Sequence, residues 1–468
     1  MSKEQAFDCI VHGGLLVSSS GAARQDVFIR DGKVVRLGRD DGFPEATRRI
    51  DASGKYVLPG LVDAHCHPVY ADKIDTLSQS AAFGGITTLI PFIGTVKAWG
   101  QASDLMDSLR KFIDQGREQS LVDFGLHCTF VRENLKEMKV LIPRAVEMGI
   151  ISFKAFMAYA RRGMKLEDNE ILMLMEVIRD NGNGGLFMVH AENGAIIDYL
   201  VEKFQAEGKT SPEYFLPSQP NLVESEAVYR ALTMAGLTRT PIYLPHLSAG
   251  ESLDVVRWFR ARGDVKMFTE TCLHYLTLTD EEMKKSGTLA KVGPALKGMK
   301  DVEACWRAVE EGLIDVVATD AAGRMMKDKE PIRDRVFDAP HGLPDMEALL
   351  PVLYDEGINR GRTTLPRLVR MTSEIPARIF GLYPPKGALE PGFDADLMLF
   401  DPWAEHVITA STQHKKADYT VYEGRHCLGA PVLTMSRGRV LVEGDNQAAR
   451  PGDARYLPGN PSLALYRS

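Results

Sequence analysis

Between residues 58 and 390, short apolar runs alternate with segments whose apolar positions recur at helical spacing. The runs 84–92, 122–129, 150–159, 185–189, 241–245, 265–269 and 313–319 read as strands. The segments 101–118, 166–181, 225–236, 253–262 and 301–312 read as helices, with 166–181 ending near Gly182. Strand followed by helix, repeated, predicts βαβ units and a parallel sheet. The two ends of the chain have a different texture. Residues 8–57 are short strands and turns, including a hairpin about Asp31 and Gly32, and 394–401 and 432–442 repeat that pattern. A stretch the size of 8–57 cannot bury a good core alone. The two ends are therefore expected to pair in one β-sandwich. Beyond Gly452 the tail is irregular, with Pro458, Gly459 and Pro461, and whether it wraps another subunit stays open.

Length and charge narrow the classes. The chain has 468 residues, 44% hydrophobic and 25% charged, which suits a barrel of roughly 250 residues plus a second unit. A net charge of −7 without any Lys/Arg run argues against nucleic acid as a partner. Cys9, Cys66, Cys128, Cys272, Cys305 and Cys427 include no close-spaced pair, which fits reduced thiols in a cytosolic chain. Residues 1–5 lack a basic-then-apolar leader, and no apolar run nears the roughly 18 residues of a membrane helix. A soluble, cytoplasmic protein with no membrane partner is expected.

Chemistry-bearing residues close several of the apolar runs. His65 and His67 end the run 56–62. At i and i+2 on a strand they share a face, which makes half of a metal site. An isolated His-x-His is common, so the weight lies in the residues downstream. Lys154 interrupts 150–159, His190 closes 185–189, His246 closes 241–245 and Asp320 closes 313–319. Each sits at or near the carboxyl end of a strand-like run, where a (β/α)8 barrel keeps its active site. The expected fold is α/β: a (β/α)8 TIM barrel over 58–390, flanked by a β-sandwich that 1–57 and 391–468 build together.

Lys154 is the most informative of these residues. A lysine inside an apolar strand is expensive unless paired or neutral, the plain alternative being a side chain that snorkels to water. An ammonium has no lone pair for a metal. A neutral amine can take up carbon dioxide as a carbamate, whose two oxygens can bridge two cations. For Asp320 the plain alternative is a helix N-cap, and for Tyr159 a core or rim aromatic. His12, His406, His414 and His426 lie in the flanking segments and read as surface or structural, whereas His127 and His274 could line the barrel. The segment 321–344, rich in charge and carrying His341, reads as a mobile cover over the site.

Taken in order, these segments resemble the cyclic amidohydrolases of the amidohydrolase superfamily, in the dihydropyrimidinase and hydantoinase branch. The similarity is carried by 153–159 (FKAFMAY), 189–194 (VHAENG), 270–278 (ETCLHYLTL) and 377–384 (ARIFGLYP). It implies a cofactor of two divalent metal ions, with zinc expected, although manganese, cobalt or iron suit the same donors. His65, His67, carboxylated Lys154 and Asp320 would surround one ion, and Lys154, His190 and His246 the other. It further implies that Asp320 shuttles a proton to the leaving ring nitrogen and that Tyr159 donates to the developing oxyanion. Gly293 and His341 fall at substrate-contact positions where this family usually has serine and asparagine. Ala321 falls where histidine generally follows the aspartate. The implied activity is hydrolysis of the ring C–N amide bond of a dihydropyrimidine, hydantoin or related cyclic amide by a dimer or tetramer. Cyclic imidase, allantoinase and dihydroorotase are the enzyme alternatives. Val69, standing where dihydroorotases usually carry arginine, argues against a carboxylated ring. A non-catalytic scaffold of this family is the remaining alternative, but such proteins have lost metal ligands that this chain keeps.

Overall fold

A computed structural model describes residues 6–39, 45–100, 104–181 and 185–467. The helix end expected near Gly182, positions 101–103 of the expected helix 101–118, and residues 1–5 lie outside the described residues.

Every residue of the strands Leu61–Cys66 and Ile86–Gly94 is buried. Continuous burial of that kind marks a parallel strand covered on both faces. These two strands pair with each other. Ile86–Gly94 pairs on its other side with the interrupted strand Asp123–Phe124 and His127–Thr129. Ser152–Phe156, Leu186–His190, Ile242–Leu244, Met267–Cys272 and Val316–Ala318 come next in that order, all parallel. The last position returns to the first. Cys66 bridges Ala321, and the Thr319 amide and hydroxyl donate to the Asp63 carboxylate at 3.0 and 2.6 Å. Eight strand positions thus form the expected (β/α)8 barrel.

Strand alternation then sorts the side chains. Along Ser152–Phe156, Ser152 meets His127 inside the barrel, while Lys154 and Phe156 line the cleft at its mouth. Phe153 and Ala155 face outward by the same alternation. Behind His190 the chain turns at once into the helix Gly194–Ala206, whose cap is Asn193 Oδ1 accepting from the Ile196 amide at 3.2 Å. A Cβ on Gly194 would lie 2.7 Å from the Ala158 backbone, so glycine lets this turn pack against the end of the Lys154 strand.

The chain ends form the sandwich. Its four-stranded sheet is N-terminal only, whereas in the seven-stranded sheet Leu397–Ile408 pairs antiparallel with Tyr56–Pro59. Asp31 and Gly32, at φ 52° and 73°, turn the expected hairpin. Val11, Val27, Ile29, Leu397, Leu399 and Met435 belong to the core between the sheets. Sandwich and barrel meet at Lys386, whose Nζ lies 2.7 Å from Asp123 and Asp396 and 3.0 Å from Asp394. The tail lies along its own barrel: Leu457 donates to Phe124 O at 2.7 Å and Gly459 to Gly149 O at 2.8 Å.

The segment 321–344 reaches the cleft at Ala322, His341 and Gly342. Its charge suggests a mobile cover, but two buried lysines anchor it. Lys329 Nζ donates to the Leu289, Lys291 and Gly342 carbonyls, and Lys291 Nζ to those of Val336, Phe337 and Ala339. It is built as a wall.

Candidate metal centre

The strand ends bring the expected ligands into one cleft with about 500 Å³ of empty volume. His65 Nε2 and His67 Nε2 each lie 3.2 Å from Asp320 Oδ1. His190 Nδ1 faces His246 Nε2 at 3.0 Å, and the His65 and His246 rings are 5.3 Å apart, which joins the two groups. Lys154, Tyr159, Gly293 and His341 line the same cleft. His127 is buried below it, held by Ser152 Oγ at 2.6 Å and Ala64 O at 3.0 Å. His274 lies against the cluster from the side, its donor atom grouped with those of Cys272 and Asp320.

Electrostatics at the centre favour ligand forms. Burial lowers the pKa of His67 to about 4, leaving a neutral imidazole with a lone pair to give. Burial would raise the Asp320 carboxyl, but the imidazoles of His65 and His67 outweigh it and hold the group below the usual carboxylate range. Lys154 is 1% exposed, and its Nζ makes no hydrogen bond or ion pair among the described residues. Its Nζ sits 4.7 Å from the Phe92 ring centre and 5.4 Å from that of Phe156. Burial lowers its pKa to about 8, with Glu270 and Asp320 opposing, so the neutral amine is accessible near physiological pH. Neutral imidazoles, an anionic carboxylate and an accessible amine form a donor set that fits divalent cations.

The residues behind the ligands escape a reading of the sequence. Glu270 Oε1 meets His65 Nδ1 at 2.6 Å and accepts the His246 amide at 3.0 Å, while its Oε2 accepts the Tyr243 hydroxyl at 2.7 Å. Glu192 Oε2 meets His190 Nε2 at 2.7 Å. Each carboxylate occupies the nitrogen that points away from the cleft, which fixes the ring and leaves the other nitrogen for a cation. Asp63, holding Thr319, is pushed up to about 7 by burial. A signal is available: Asp63, Glu192 and Glu270 are acids within or just beyond apolar strands, where an unpaired carboxylate is costly.

Three of the predicted site residues, Tyr159, His246 and Asp320, have φ of 68°, 45° and 48°. Side-chain-bearing residues in this region cost about 1–3 kcal/mol each and cluster at functional sites. The Glu270 bond to the His246 amide helps to hold one of them. Gly293 explains how Tyr159 fits, because a Cβ there would lie 2.3 Å from the Tyr159 hydroxyl. The Tyr159 ring lies 4.7 Å from that of His190 and 5.6 Å from that of His341.

A family model described as the amidohydrolase family matches residues 56–441. The chain belongs to that family. Relatives of this amidohydrolase match it over nearly their whole length. A D-hydantoinase of Ralstonia pickettii is 36% identical over 465 residues, covering 96% of this chain and 98% of that protein. The solved L-hydantoinase (dihydropyrimidinase) from Arthrobacter aurescens superposes with a TM-score of 0.90 at 33% identity, over 97% of this chain and 100% of that one. A dihydropyrimidinase from Brevibacillus agri gives 0.91 at 29% identity, over 96% and 98%. Among the described residues, no helix is long and apolar enough to cross a membrane.

Proposed function

We propose that this amidohydrolase opens a cyclic amide, a hydantoin or dihydropyrimidine, by hydrolysing the ring C–N bond at a centre for two divalent cations. The observation that carries the proposal is Lys154, whose buried Nζ makes no ion pair in the cleft that holds His65, His67, His190, His246 and Asp320. The relatives, named D-hydantoinase, L-hydantoinase and dihydropyrimidinase, support the substrate class and leave the handedness open.

In this reading His65, His67 and Asp320 hold one cation and His190 and His246 the other. Lys154, carboxylated by carbon dioxide, would help to hold both. When bound, the cations, zinc in our reading, supply Lewis acidity that polarises the ring carbonyl and makes water nucleophilic near neutral pH. Asp320 takes a proton from the attacking water and delivers it to the departing ring nitrogen. Tyr159 donates its hydroxyl to the oxygen that gains charge; burial and the nearby Glu192 hold its pKa well above the ordinary value, so it stays a donor. Gly293 and His341 shape the substrate side of the cleft. Glu270 and Glu192 orient the imidazoles. We take 1–57, 58–390 and 391–468 as the sandwich, barrel and sandwich-plus-tail boundaries. Six free, buried cysteines support a cytoplasmic setting, and exposed Leu222, Tyr229, Leu237 and Trp258 support a dimer or tetramer.

The test is metal content per chain measured beside hydrolysis of dihydrouracil, hydantoin and a cyclic imide. Two metals and opening of dihydrouracil or hydantoin are expected. Opening of the imide alone would move the substrate class, and a chain that takes up no metal with bicarbonate present would sink the proposal.

A further inference from the structure

One guanidinium lines the cleft and a second packs on the tyrosine beside it, neither in an ion pair among the described residues. Arg162 lines the cleft, its Nη2 3.3 Å from the Tyr70 hydroxyl and its guanidinium carbon 5.3 Å from the Tyr159 ring centre. On the other side of Tyr70, the Arg324 guanidinium stacks 3.3 Å from the ring centre, and its Nε is 3.3 Å from His341 O. Neither arginine makes an ion pair among the described residues, in a protein where neighbouring Arg161 reaches Glu202 at 2.8 Å. The Tyr70 hydroxyl accepts from Arg162 and so keeps its own proton to donate. An arginine fork beside a free hydroxyl is built for a carboxylate, which it can bind in two-pronged fashion.

The place of this charge decides where on a substrate the carboxylate must be. Arg162 reaches the ligand cluster through Tyr159, whose ring is 4.7 Å from the His190 ring. The Tyr159 ring touches both the guanidinium and the His190 ring, which favours a carboxylate carried on an arm over one attached to the ring being opened. Trp99, Phe156 and Met164 line the cleft as well, which gives an apolar passage for a few methylenes.

Building on the cyclic-amide reading, we propose that the enzyme prefers rings bearing a short, carboxylate-tipped arm, with Arg162 and the Tyr70 hydroxyl binding the carboxylate and Arg324 reinforcing them. Arg162 is a specificity residue and takes no part in bond breaking. A charge-assisted contact of this kind, partly exposed, is worth about tenfold in kcat/KM.

The experiment uses metal-loaded enzyme and three rings: hydantoin, hydantoin-5-propionate and the matching propionamide. The propionate is expected to exceed the propionamide about tenfold in kcat/KM, mostly through KM. Arg162→Gln should erase the ratio and Arg162→Lys should restore part of it, because charge is kept and the fork is lost. The ratio is taken within each variant, so a general loss of activity cancels. Equal rates on acid and amide, or a preference that survives Arg162→Gln, would overturn this inference and leave ring hydrolysis standing. If none of the three rings is opened, this inference falls; if dihydrouracil is refused as well, the cyclic-amide reading fails with it.

Discussion

Lys154 and Lys386 are each 1% exposed, yet they are opposite solutions to one problem. Lys386 sits where the barrel meets the sandwich, its ammonium ringed by Asp123, Asp394 and Asp396, and Arg437 and the Arg455 amide also bind Asp123. Burial would lower its pKa, but the three carboxylates more than reverse the effect. Lys154, at the carboxyl ends of the strands, has aromatic faces for neighbours and a pKa lowered to about 8 by burial. One lysine is fully paired and holds two parts of the fold together. The other has no carboxylate partner, and burial moves it toward the neutral amine. Burial alone says nothing about role; the partners decide it.

The comparison can be broken at either lysine. The largest effect is expected from Lys154→Ala, which should lower ring hydrolysis by at least about 10³-fold, well beyond the 10–100-fold of changes behind metal ligands. Metal analysis should show loading lost, while the denaturation midpoint stays near that of the metal-free parent. A variant that retains two metals and full activity would refute the role given to Lys154. Lys386→Met should do the reverse. It removes the cation that three buried carboxylates share and should cost about 3–5 kcal/mol in urea unfolding, while activity per folded molecule holds. Unchanged stability would mean that the aspartates relax without their cation. The smallest effect sharpens the contrast: Glu270→Gln should weaken metal binding by about 10–100-fold, read by competition with a chelator. The same loss at Asp123→Asn would show that the two clusters are not independent.

Much of the architecture is legible in the sequence because periodicity is local. Runs bounded by turns mark the strands, and His65, His67, Lys154, His190, His246 and Asp320 stand out because each is a polar residue where an apolar run ends or breaks. Helix ends are less legible: the expected helix 225–236 spans Asn221–Thr238, because packing continues it past the apolar pattern. The run 122–129 reads as one strand and is two, the tail meeting the first piece at Phe124 and Tyr456. Glu192 and Glu270 lie inside the motifs that carry the family resemblance, but their work depends on which imidazole nitrogen they face. Arg162 resembles any exposed arginine until Tyr70 and Arg324, remote in sequence, are seen around it.

The sequence by itself determined the barrel-and-sandwich plan and which polar residues gather at its mouth, because strand alternation and polar breaks in apolar runs act over a few residues. Only the tertiary structure decided that Lys154 is unpartnered and Lys386 is paired, that carboxylates turn the histidines toward the cleft, and that 321–344 is a pinned wall. Those facts depend on groups more than a hundred residues apart in several cases, and desolvation and hydrogen-bond geometry act on distance in space, which no local pattern records.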